Sequence, residues 1–182
     1  MQTALLIIDV QQDLLDRVTY KKAELIDTIK QLEQAAIDSA VPLVMIRHDD
    51  GKGTPMQKGS PGFQIAKEIA VPAAAVFDKT VNSSLWQPGL KEWLEDHKIR
   101  NVIVGGMQSE FCVHATIVDL ARLGYQVIVV KGATHTLDNP WMDALKTVDY
   151  FEQHIWKDRY AKLLTLEETL ALMASDGLKE NS

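Results

Sequence analysis

NVIVGGMQSEFCVHAT, residues 101–116, decides the fold. An apolar run, NVIVGG, leads through a polar turn, MQSEF, to Cys112 and a segment with Ala115, Val118 and Ala121 at helical spacing. A short continuous apolar run followed by a 3/4 pattern describes a strand feeding a helix. The same type of run recurs as ALLIID (4–9), PLVMIR (42–47), AAAVFD (73–78) and QVIVVK (126–131). Continuous runs, unlike alternating ones, belong to strands covered on both faces, as in a parallel sheet between two helix layers. Helical patterns fill the gaps: Lys21 to Ser39 with Leu25, Ile29, Leu32 and Ala36 in phase, Gly89 to His97, Cys112 to Leu123, and Trp141 to about Phe151. A last one, residues 165–174, opens on a Thr165–Glu168 capping-box spacing. The alternation predicts an α/β fold: a three-layer α/β/α doubly wound domain with right-handed crossovers around a mainly parallel sheet of five or six strands.

The chain has 182 residues, of which 46% are hydrophobic and 24% charged. That suits a single domain, 1–182, with one core and one site. The exception to the β/α rhythm is 48–72, rich in Gly, Pro and polar residues, which reads as a long loop with at most one short helix near 62–69. Loops of that length serve as lids, binding segments or subunit contacts. Met56 and Phe63, expected to be exposed there, point to an interface. No stretch approaches the roughly 20 apolar residues of a membrane helix, and ALLIIDV follows the N-terminus without a basic n-region. A cytoplasmic protein with no membrane partner is expected. The net charge of -6 excludes a phosphate-backbone partner, hence no nucleic acid. One cysteine cannot close an internal disulfide, and its thiol survives where the surroundings are reducing.

Ligands of doubly wound sheets bind beyond the carboxyl ends of the strands. Three such exits hold chemistry: Asp9 closes the first run, Lys79 follows the third in FDKT, and the fourth leads into Cys112. A thiol near a helix N-terminus faces unpaired N–H groups and the positive end of the helix dipole, which favours thiolate. The same N–H groups suit the oxygen of a tetrahedral intermediate. Asp9 is placed to take the thiol proton and return it to a leaving group, and Lys79 to hold Asp9. Each residue also has a plain role: a lone cysteine packs as a small apolar side chain, an Asp ends a strand, a Lys faces solvent. Their joint placement on one sheet edge carries the catalytic reading.

IIDVQQD (7–13), KTVNSSL (79–85), GGMQSEFCVHAT (105–116) and ARLGYQVIVVKGA (121–133) resemble the isochorismatase-like cysteine hydrolases, a family that includes nicotinamidases and N-carbamoyl amidases. The resemblance covers nearly the whole chain. It implies a Cys112–Asp9–Lys79 triad, a covalent acyl-enzyme formed from a small-molecule amide or related C–N bond, and a cis peptide at Met107–Gln108. The Gln108 and Cys112 amides would then form the oxyanion hole. It also implies a homo-oligomer. Nicotinamidases hold a metal through an Asp-x-His arrangement and a second His; this chain has His48, Asp49 and Asp50 without a nearby second His, so a polar loop is expected, with no metal and no cofactor. Trp86, Phe111 and His114 are the candidates for lining a substrate pocket, while Trp93, Trp141 and Trp156 suit core or subunit contacts. Asn82 and Ser83, next to Lys79, suit either a turn or a hydrogen bond into the site.

Two other readings compete. One is a catalytically silent member of the same fold that binds a partner protein. The other is a receiver-like phospho-accepting module using Asp9, Asp49 or Asp50, and Lys131; it fits poorly, because receivers need adjacent acids after the first strand and the chain runs some fifty residues past Lys131.

Overall fold

The continuous runs are apolar on both sides because both sides of the sheet are covered. A computed structural model describes residues 2–180. Its six strands are β1 (Gln2–Ile8), β2 (Leu43–His48), β3 (Ala75–Lys79), β4 (Ile99–Met107), β5 (Gln126–His135) and β6 (Lys162–Leu164). All pair in parallel, in the order β3-β2-β1-β4-β5-β6. The sixth strand, three residues long, is too short to stand out as an apolar run.

Along β1, Leu5 and Ile7 join one core and Ala4, Leu6 and Ile8 the other, the period-two alternation of a strand. The first core is closed by α2 (Lys22–Asp38), through Leu25, Ile29, Leu32 and Ala36, and by Met173 of α6 (Leu166–Glu180). The second is closed by Leu90 and Leu94 of α3 (Leu90–Asp96), by Ile117 and Leu120 of α4 (His114–Arg122), and by Trp156. Two short helices complete the set: α1 (Gln12–Arg17), absent from the sequence reading, and α5 (Ala144–Tyr150). The expected capping box holds α6: Thr165 N–H donates to Glu168 Oε2 at 2.8 Å, and Glu168 N–H to Thr165 Oγ1 at 3.2 Å. Among the described residues no helix is long and apolar enough to cross a membrane.

The 48–72 segment corrects one expectation. Met56 and Phe63 are 3% and 1% exposed, so they anchor the loop onto the body and give no hint of an interface. Met56 joins the α2-side core, and the Arg47 guanidinium lies 4.6 Å from the Phe63 ring centroid. The short helix of this segment is a single 3₁₀ turn, Lys67–Ile69.

Candidate active site

Parallel pairing brings the strand exits together. Backbone contact between β1 and β4 is close at Gly106, whose φ is +123°; a Cβ there would run into the Ile8 backbone, so only glycine serves. Immediately beyond, the Met107–Gln108 peptide is cis. The chain then enters a π-helical turn, Ser109–Val113, that carries Cys112 and passes directly into α4. Ser109 Oγ donates to the His135 carbonyl (3.2 Å) and Thr116 Oγ1 to the Cys112 carbonyl (2.7 Å), which tie this turn to β5 and α4.

At the neighbouring exits stand Asp9, just past β1 with φ +50°, and Lys79, the last residue of β3. Both are buried. Lys79 Nζ donates to Asp9 Oδ2 at 2.6 Å and to Cys112 Sγ at 3.2 Å. The other Asp9 oxygen, Oδ1, is buried with no hydrogen-bond donor among the described residues. A buried carboxylate oxygen without a donor is rare and costly, and it is the acceptor a thiol proton would need.

The folded surroundings of Cys112 act against the ionisation that a helix terminus favours. The Cys112 thiol is pushed up to about 12, first by burial and then by the Asp9 charge, against which Lys79 pulls only part of the way back. Burial and the adjacent carboxylate both oppose the helix terminus and favour the protonated sulfur, for which Asp9 is the neighbouring base.

His48 was read as part of a polar loop. It ends β2 in register with Lys79, and its Nδ1 lies 2.9 Å from Lys79 Nζ. A carboxylate oxygen of Asp9, a ring nitrogen of His48 and Cys112 Sγ lie within 4.8 Å of one another, a spacing suited to a cation. The Lys79 ammonium bonds all three residues, so a metal ion would have to displace a positive charge already held there. Asp49 offers no alternative, since its Oδ1 accepts the Gly51 and Lys58 N–H groups, both at 2.9 Å.

Gln11 is a second residue that sequence reasoning passed over. Fully buried, it accepts the His48 N–H at 2.7 Å and donates to the carbonyls of His48 (2.9 Å) and Phe63 (2.8 Å). A polar residue two positions after Asp9, in QQD, carries no sequence signal of this.

The pocket candidates part company. Phe111, beside the nucleophile, is half exposed. His114 and Trp86 line a cavity of about 440 Å³ with Asn82, Val118 and Asp119 along one flank of α4. His114 Nδ1 accepts the Trp156 indole N–H at 3.1 Å, and burial lowers its pKa. Of the tryptophans, Trp156 is core and Trp141 is 90% exposed. Asn82 Oδ1 stands 3.9 Å from Cys112 Sγ, whereas Ser83 Oγ donates to Asp119 Oδ2 at 2.7 Å. The receiver reading fails on Lys131, which is exposed and lines a separate cavity of about 480 Å³ with His135 and Glu152, away from Asp9, Asp49 and Asp50.

The isochorismatase domain model matches residues 3–167. The chain belongs to the isochorismatase family. Within it, isochorismatase family protein 2A of Dictyostelium discoideum is 30% identical over 134 residues, 72% of this chain and just under two thirds (66%) of that protein. The nicotinamidase of Escherichia coli strain K12 is 39% identical over 57 residues, which cover 31% of this chain and 25% of the enzyme. Among solved structures, the cysteine hydrolase from Pseudomonas syringae pv. phaseolicola 1448A superposes with a TM-score of 0.85 at 21% identity, covering 96% of this chain and 93% of that one. The all-parallel sheet and its two helix layers are thus those of the isochorismatase-like hydrolase fold.

Proposed function

We propose that the protein is an amidase-type cysteine hydrolase that cleaves a small-molecule amide or related C–N bond through Cys112, Asp9 and Lys79. The observation that carries this reading is the split of the Asp9 carboxylate, with one oxygen held by Lys79 at 2.6 Å and the other, beside a thiol, without a donor among the described residues. Asp9 takes the Cys112 proton as Sγ bonds to the carbonyl carbon. The Gln108 and Cys112 amides receive the oxyanion. As the intermediate collapses, the C–N bond breaks and the nitrogen leaves with the proton from Asp9, which gives a thioester. Water then attacks that thioester, passes its proton to Asp9, and Cys112 is released with the proton returned. Lys79 stays cationic throughout and stabilises negative charge on Asp9 and on sulfur in turn. The matched relative named a nicotinamidase supports an amide substrate.

A screen of small amides for ammonia release tests this, comparing wild type with Cys112→Ala and Asp9→Asn. Turnover of a true substrate should fall by about 10³-fold or more without the thiol, since covalent catalysis is lost altogether. Equal turnover in Cys112→Ala would overturn the proposal.

A further inference from the structure

The ammonium of Lys79 carries three N–H donors, and the triad accounts for two of them. The third points to His48: Nζ to Nδ1 is 2.9 Å. An ammonium has no lone pair, so Nδ1 must present its own, which makes the imidazole neutral with its proton on Nε2. That Nε2 faces the Asp50 carboxylate at 3.1 Å. Burial, followed by the Lys79 charge, lowers the His48 pKa and keeps the ring neutral, with Asp9, Asp50 and Asp49 opposing. The backbone beneath is fixed as well, because Gln11 bonds both the N–H and the carbonyl of His48.

We infer that His48 is a positioning residue that completes the hydrogen-bond shell of Lys79 and aims the ammonium at Asp9 and Cys112. This rests on the Cys112–Asp9–Lys79 reading above and adds a fourth member behind it. The physical need is specific. A lysine head group on a four-carbon stem rotates freely unless its donors are all engaged. With His48 in place each N–H has one partner, so the donor at 3.2 Å from Sγ cannot swing away. A neutral acceptor also holds the ammonium without drawing it from the carboxylate, which a second acid would do.

The test pairs two substitutions at one position. His48→Asn places an amide oxygen near the position of Nδ1 and keeps the acceptor; His48→Leu fills the space without one. Losing a hydrogen bond to a charged group predicts a fall in kcat of about tenfold to a hundredfold for His48→Leu, with KM within about twofold, and recovery to within about fivefold for His48→Asn. Iodoacetamide capture of Cys112 supplies a readout that needs no substrate. His48→Leu should slow capture at pH 9 at least about threefold, because the ammonium no longer steadies the thiolate, while His48→Asn should not. If wild type turns over no amide, the amidase reading fails, yet the capture rates still decide the positioning role. Equal capture rates in the Leu and Asn variants, or a KM effect with kcat intact, would overturn it.

Discussion

Replacing Asp9 by Asn should make Cys112 more reactive toward an alkylating agent and less competent as a catalyst, a divergence that follows from the geometry. An oxygen of the carboxylate and the sulfur lie within 4.8 Å. At that separation and an effective dielectric of about 20, unit charges interact by roughly 3 kcal/mol. Removing the Asp9 charge should therefore raise the thiolate fraction by about a hundredfold, and the Lys79 charge, no longer neutralised, acts in the same direction. The wild-type thiol, pushed up to about 12, should show iodoacetamide capture that climbs steadily from pH 8 to pH 10.5 with no plateau near 8.5. Asp9→Asn should be captured about a hundredfold faster at pH 7, followed by intact mass, while amide turnover drops by at least about a hundredfold for want of a base. Asparagine keeps the shape, but it leaves the buried Lys79 charge without its carboxylate counter-charge, so a loss of up to about 3–5 kcal/mol in stability should accompany it. Capture by Asp9→Asn at or below the wild-type rate would refute the claim that Asp9 suppresses the thiolate.

Three further outcomes follow from the fold. Phe63→Ala should lower stability by about 3–5 kcal/mol, read from the urea midpoint, because the ring is buried beneath the loop; a shift under about 1 kcal/mol would mean the loop is not anchored there. Gly106→Ala should not yield stable protein in a thermal melt, since Ile8 occupies the space its methyl needs at a φ no alanine favours; a wild-type melting point would contradict the close β1–β4 approach. Glu152, buried, has a carboxyl pushed up to about 7, by burial first and against the Thr134 hydrogen bond. A carboxyl raised in the folded state costs nothing below its unfolded value near 4.5 and costs stability as pH rises from there to about 7. Glu152→Gln should cancel a loss of at most roughly 3 kcal/mol across that window, and an unchanged pH slope of the melting temperature would exclude it.

Apolar continuity made the sheet legible, because burial on both faces leaves its mark on every residue of a run such as Leu5 to Ile8. β6 left no such mark: three residues at the sheet edge bury too little. The strand-exit rule found Asp9, Lys79 and Cys112 because each lies within a residue or a short turn of its strand. His48 ends a strand by the same rule, and was passed over because the polar HDD that begins there has the composition of a loop. What it does depends on register: parallel pairing sets His48 opposite Lys79, a fact no local pattern contains. The influences on the thiol are hidden in the sequence for a related reason. Helix polarity is visible in sequence, whereas the burial and the neighbouring carboxylate that outweigh it exist only once the chain has folded. Met56 and Phe63 were taken for surface residues because the Gly and Pro around them describe a loop, and a loop can still bury its anchors.

The central claim is that Cys112 forms a covalent acyl intermediate. The direct measurement is the intact mass of the protein quenched in acid during turnover of an amide found by the ammonia screen, followed by peptide mapping. The expected result is an added mass equal to the acyl part of the substrate, located on the peptide bearing Cys112, released by hydroxylamine, and absent from Cys112→Ala. Turnover at the wild-type rate by Cys112→Ala, or an acyl group located on a residue other than Cys112, would contradict it.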